Sequence, residues 1–155
     1  MVDAPYIRLV LWKAAKAVEK VDKASIYTTG LHLSDFQIME ILLHKGPLPV
    51  NAIGEKVLLT SGSMTAAAKR LEKKGLVQRI QNPLDGRCFN IHLTAGGKTV
   101  IKRAYTDHEK NLEKVVSVLT STERSELVRL LKKIGYNAER LNQAVIDSNS
   151  ESFSH

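Results

Sequence analysis

The alternation of apolar and polar positions predicts a chain that is mostly helical, with one short interruption in its middle. From Tyr6 to Ser25, Ile7, Leu11, Ala14, Val18 and Val21 recur at spacings of four and three, which places them on one helical face. Gly30 ends this segment. Ser34-Asp35-Phe36-Gln37 then has the form of a capping box, a hydroxyl for the first free amides and a glutamine that reaches back. A second helix is expected from Asp35 to about Lys45, stopped by Gly46-Pro47. A short helix over Val50 to Val57, with Ile53 and Val57 inward, precedes the break TSGS. In the helix after it, Met64, Ala67, Ala68 and Leu71 form one stripe, and Thr65, Ala66, Lys69, Arg70 and Lys73 form the other.

Gly75 closes that helix, and the period changes to two. LVQRIQ and FNIHLT read as strands, the second with Phe89, Ile91 and Leu93 alternating against Asn90 and His92, and Pro83 and Gly86 supply the turn between them. Helical rhythm then returns through Ile101, Tyr105, His108, Leu112, Val115 and Leu119. Thr120-Ser121-Thr122-Glu123 caps a further helix carrying Leu127, Leu131, Ile134, Ala138, Leu141 and Val145. The Ser-rich tail from Asp147 is expected to fray. These apolar seams, with that of the first helix, exceed what the small central unit can cover, as in a chain that packs on a second subunit. The order of elements predicts a mainly α fold with a small β-hairpin wing: a winged helix-turn-helix flanked by N- and C-terminal dimerisation helices. The divisions expected are 1–31 for the first dimerisation helix, 32–96 for the DNA-binding unit, 97–147 for the C-terminal helices and 148–155 for the tail.

Charge sharpens this picture. Of a net charge of +7, a surplus of four falls between Val50 and Ala95, where seven basic residues face three acids; from Thr120 onward five basic and five acidic residues cancel. A positive surplus that falls mostly on the helix-turn-helix and wing is the footprint of a phosphate-facing surface. In such a unit the leading end of the second helix enters the major groove. Ser61, Ser63, Thr65 and Ala66 would stand there, small hydroxyls for bases or phosphates and a methyl for thymine, with Lys69, Arg70, Lys73 and Lys74 as a basic flank. Arg87, at the hairpin tip, would enter the adjoining minor groove, its guanidinium held by Asp85.

The run SGSMTAAAKRLEKKGLVQRIQNPLDGRCFNIHLTAGG closely resembles the MarR family of winged-helix transcriptional regulators. The elements that carry the resemblance are Arg70-Leu71-Glu72, Gly75-Leu76-Val77, Arg79, Asp85-Gly86-Arg87, Leu93-Thr94 and Gly97. The likeness is strong from about Leu33 to Gly97, and the flanking helices match in order and length. It implies a cytoplasmic homodimer on double-stranded DNA with a pseudo-palindromic operator, most simply a repressor released by a small aromatic or phenolic effector or an oxidant. It also implies DNA contacts at Ser61, Ser63, Thr65 and Arg70 in the major groove and Arg87 in the minor groove. Gly86 stands where the family's wing commonly has an arginine, and Ala66 where a larger polar residue is common.

Other readings are weaker. Cys88 beside Arg87 is a candidate redox switch if the arginine lowers its thiol pKa, although a small strand residue explains it as simply. Trp12, His32, Phe36, Met39 and Leu43 are candidates to line an effector pocket. The histidines, His32, His44, His92, His108 and His155, show no metal-ligand spacing, so no metal or other cofactor is expected, and His108 reads as an ordinary, partly exposed seam residue. No phosphate loop, serine elbow or local Cys-His signature points to an enzyme. The longest apolar runs are too short to span a membrane, and the start of the chain lacks a secretory pattern. The alternatives that remain are a winged-helix protein-interaction module and a non-specific DNA-binding protein.

Overall fold

The computed structural model describes residues 2–57 and 59–152, and side chains up to residue 146. Its contacts divide the chain into two units, one ending at Val115 and one beginning at Val116. The first unit opens with α1 (Ala4–Tyr27), capped by Asp3, whose Oδ1 accepts from the Tyr6 amide at 2.9 Å. There follow α2 (Leu33–Lys45), β1 (Leu48–Pro49), α3 (Val50–Val57), α4 (Ser61–Lys73), β2 (Val77–Asn82), β3 (Asp85–Leu93) and α5 (Ala95–Val116). The second unit is α6 (Ser121–Ser152), started by the expected reciprocal cap: Glu123 Oε2 accepts from the Thr120 amide at 2.8 Å, and Thr120 Oγ1 accepts from the Glu123 amide at 3.3 Å. This helix runs through the stretch from Asp147 where fraying is expected; residues 153–155 lie outside the described residues.

The core of the first unit gathers Phe36, Ile38, Met39 and Leu42 of α2, Ile53 of α3, Met64, Ala67, Ala68 and Leu71 of α4, and Val77, Ile91 and Ile101 from the sheet and α5. The α4 stripe legible in the sequence is therefore the buried face. Ala67 and Ala68 carry no side chain beyond Cβ, so α4 can lie close against its neighbours.

Three local expectations are corrected. Ser34 does not cap α2: the helix begins at Leu33, two residues before the expected start at Asp35, behind an extended His32 that makes no side-chain cap. The wing is a three-stranded antiparallel sheet in the order β1-β3-β2, because Leu48 and Pro49 pair with Ile91 and Asn90 on the free edge of β3. Proline fits there because an edge strand can forgo one amide donor. The turn is Pro83-Leu84, closed by the Leu84 amide donating to Asn82 Oδ1 at 2.9 Å, and Gly86 lies within β3.

The base of the wing is fixed to α5 by one threonine. Thr94 Oγ1 donates to the Gly75 carbonyl at 2.7 Å and accepts from the Gly97 amide at 2.9 Å, while its own amide donates to the Leu76 carbonyl at 3.1 Å. Gly75, at φ 68°, takes the left-handed conformation that ends α4. Further along α5, His108 is buried, not partly exposed. Its Nε2 faces Asp22 Oδ1 at 3.2 Å, its Nδ1 faces Ser25 Oγ at 3.0 Å, and its ring stands edge-on to Phe36. Asn111 Nδ2 donates to the same Ser25 oxygen at 3.0 Å. The carboxylate can only accept, so a neutral imidazole here carries its hydrogen on Nε2 and accepts from Ser25 on Nδ1. The cluster joins α1 to α5 through polar contacts, and α2 to both through the Phe36 ring.

Candidate nucleic-acid interface

The leading end of α4 is exposed and internally ordered. Thr60, extended at φ −64° and ψ 155°, caps the helix by accepting from the Ser63 amide at 3.2 Å, and its hydroxyl donates to Ser63 Oγ at 3.0 Å. The Thr65 hydroxyl donates back to the Ser61 carbonyl at 2.9 Å, which leaves its lone pairs outward. Ser61, Gly62, Thr65, Ala66 and Lys69 line one shallow surface hollow, and Lys73 is exposed one turn beyond Lys69. Free amides of a helix start, hydroxyls and cations on one exposed face suit contact with a polyanion.

Arg70 does not belong to that face. Its Nε lies 3.0 Å from both carboxylate oxygens of Asp35, and its Nη2 lies 2.5 Å from Oδ1 and 3.1 Å from Ser34 Oγ. In the chain without DNA, the guanidinium expected at the groove is held in a fork closed on α2. The reason is angular: at about 100° per residue, Arg70 and Lys74 fall on the flank between the outer and the buried faces of α4. Asp35, fully buried, and Ser34 are the partners that sequence reasoning missed. Glu72, on α4, lies 3.4 Å from Arg79 Nε on β2 and ties the helix to the wing.

In the wing, Arg87 is exposed on β3, three residues beyond Leu84, which is 95% exposed at the tip. Asp85 does not pair with the Arg87 guanidinium. Its Oδ1 accepts from the Arg87 backbone amide at 3.0 Å, so it shapes the strand start and leaves the guanidinium outward. The other oxygen, Oδ2, takes the Cys88 thiol at 3.5 Å. This bond, with the charge of Asp85, pushes the Cys88 thiol up from its ordinary pKa. The expected activation by Arg87 is reversed, because the carboxylate is the partner that touches sulfur and it disfavours the thiolate.

The five residues expected to line one effector pocket are not brought together. Phe36 and Met39 are sealed in the core, Leu43 packs at its margin, and Trp12 is exposed beneath the Arg8 guanidinium, 4.6 Å above its ring. His32 lines a separate cavity of about 500 Å³ with Ile26, Tyr27, Leu31 and Leu33. A larger cleft, about 580 Å³, opens between α3, the start of α4 and the sheet, with Pro49, Leu59, Met64, Arg79 and Phe89 among its walls. Among the described residues there is no cluster of three or more metal-ligating side chains, and no helix is long and apolar enough to cross a membrane.

An exposed, cation-flanked helix start braced by a second helix and followed by a sheet with an arginine near its tip defines a winged helix-turn-helix DNA-binding protein. The chain belongs to the MarR family. The family model matches residues 31–89. The HTH-type transcriptional regulator MhqR of Bacillus subtilis is 32% identical over 134 residues, covering 86% of this chain and 92% of that protein. A mutant MarR from E. coli complexed with operator DNA shares the fold at a TM-score of 0.70, with 22% identity over 84% of this chain and 94% of that one. NadR in complex with 4-hydroxyphenylacetate shares it at 0.71, with 23% identity over 83% and 91%. The chain is therefore a DNA-binding transcriptional regulator and not an enzyme.

Proposed function

We propose that the protein acts in the cytoplasm as a homodimeric repressor on a pseudo-palindromic operator and is released by a small aromatic effector. The observation that carries this reading is the outer face of α4: Ser61, Thr65, Ala66, Lys69 and Lys73 are exposed together, with Ser63 at the cap and Arg87 exposed on the wing of the same unit. The helix face addresses base edges and phosphates in the major groove, and Arg87 addresses the minor groove. Two copies are needed because the apolar stripes of α1 and α6 stand exposed in the single chain, Ile7, Val18, Leu131 and Ile134 among them. The phenolic acid held by the structural neighbour NadR supports an effector of that class.

The test is binding of the purified protein to a fluorescent duplex of its own upstream intergenic DNA and to a scrambled duplex, across a salt series. The expected result is tight binding to the first, a steep salt dependence from counterion release and weak binding to the second. Arg87→Ala should weaken operator binding roughly fivefold to 150-fold, in line with about 1–3 kcal/mol for a specific groove contact, with helix content and dimer mass unchanged. Equal weak binding to both duplexes by the wild type would replace the regulator reading with a non-specific basic surface.

A further inference from the structure

Asp35 is a fully buried carboxylate in the first turn of α2, and the two cations that reach it come from the last turn of α4 and its C-cap. Arg70 grips it with Nε and Nη2 at 2.5–3.0 Å, and Lys74 Nζ stands 3.6 Å from Oδ2. Ser34 extends the grip by accepting from Arg70 Nη2 at 3.1 Å. Buried ion pairs contribute little net stability compared with well-packed apolar side chains, whereas a planar bidentate fork fixes direction. That direction adds to what the packing and the Glu72–Arg79 pair supply: Met64 and Leu71 anchor the ends of the buried stripe of α4, but its middle is Ala67 and Ala68, whose single methyls interlock least with their neighbours.

Resting on the reading of the outer face of α4 as the DNA-reading surface, we infer that Asp35 is a positioning residue for operator recognition. Through Arg70 and Lys74 it sets the rotation of α4, and so the angle at which Ser61, Thr65, Ala66 and Lys69 meet the groove. It touches no DNA itself. A role in folding alone would change the fraction of active protein and weaken binding to every duplex alike. A role through charge alone would have the opposite sign in Asp35→Asn, since losing a negative charge tightens binding to any DNA. Positioning lowers the ratio of specific to non-specific affinity.

The deciding experiment selects a duplex from a random-sequence library with the wild-type protein. It then measures, for the wild type, Asp35→Asn and Arg70→Lys, the affinity for that duplex and for a scrambled one, with circular dichroism and dimer mass recorded alongside. Arg70→Lys keeps the charge and loses the fork, and it decides the matter if Asp35→Asn does not fold. The expected result is at least a tenfold fall in the affinity ratio in each folded variant, with scrambled-duplex affinity held or raised. An unchanged ratio in either folded variant overturns the positioning role while leaving the regulator intact. A wild-type protein that selects no duplex removes both.

Discussion

At Gly97 a single added Cβ would lie 1.9 Å from the Leu76 carbonyl oxygen and 2.9 Å from its carbon, both of them backbone atoms that cannot turn aside. At the neighbouring Gly96 the nearest atom would be 3.8 Å away, an ordinary contact. Gly97→Ala should therefore cost about 3 kcal/mol in urea unfolding, and Gly96→Ala should stay within about 0.5 kcal/mol of the wild type. Equal stability of the two variants would show that the base of the wing is looser than its hydrogen bonds indicate. The Leu-Thr-x-x-Gly pattern announces this junction in the sequence, yet the reason for its glycine is a contact with the bend before β2, some twenty residues earlier, which spacing does not report. Arg70 teaches the same lesson from the other side. Its place on the helix is legible, but a helical wheel does not show that a buried carboxylate lies opposite. For Cys88 the neighbour in sequence, Arg87, suggests the wrong sign, because the thiol meets the Asp85 carboxylate.

Among the elements, α4 is legible from apolar spacing alone, since burial imposes a period of 3.6 whatever the partner is. The start of α2 and strand β1 are not. Ser34 has the residue type of a cap but spends its oxygen on Arg70, and a two-residue strand containing proline leaves no alternation to read. The inner face of α2 also carries a titratable group with a predictable effect. Burial raises the Glu40 carboxyl above the ordinary glutamate range, opposed by His108 and His44 and reinforced by Asp22. The folded chain thus holds this proton more tightly than the unfolded chain does. Stability from this group is present in full below the ordinary pKa of about 4.3, and it is lost as pH rises through the folded value. Glu40→Gln should accordingly raise the Tm near neutral pH, and the gain should vanish below about pH 4. A gain that persists in acid would assign the effect to packing instead of charge.

For the whole molecule, the exposed apolar stripes on α1 and α6 predict that the chain associates with a second copy. Ile7→Glu and Leu131→Glu, at positions 43% and 42% exposed, should shift sedimentation toward the monomer without removing helical circular dichroism, and a dimer mass unaffected by both changes would refute the reading. The junction at Thr94 and Gly97 has a mechanical consequence on this scale. Helix α5 starts on the wing's base and continues unbroken to the His108–Ser25–Asp22 cluster, about 17 Å away at 1.5 Å per residue. With its near end pressed against Leu76 and no slack to slide, α5 is a lever with its fulcrum at His108. A tilt of about 10° there sweeps the wing's root through about 3 Å, a displacement comparable to the length of a hydrogen bond. A small change where α1, α2 and α5 meet thus suffices to move the root of the wing by the length of one polar contact.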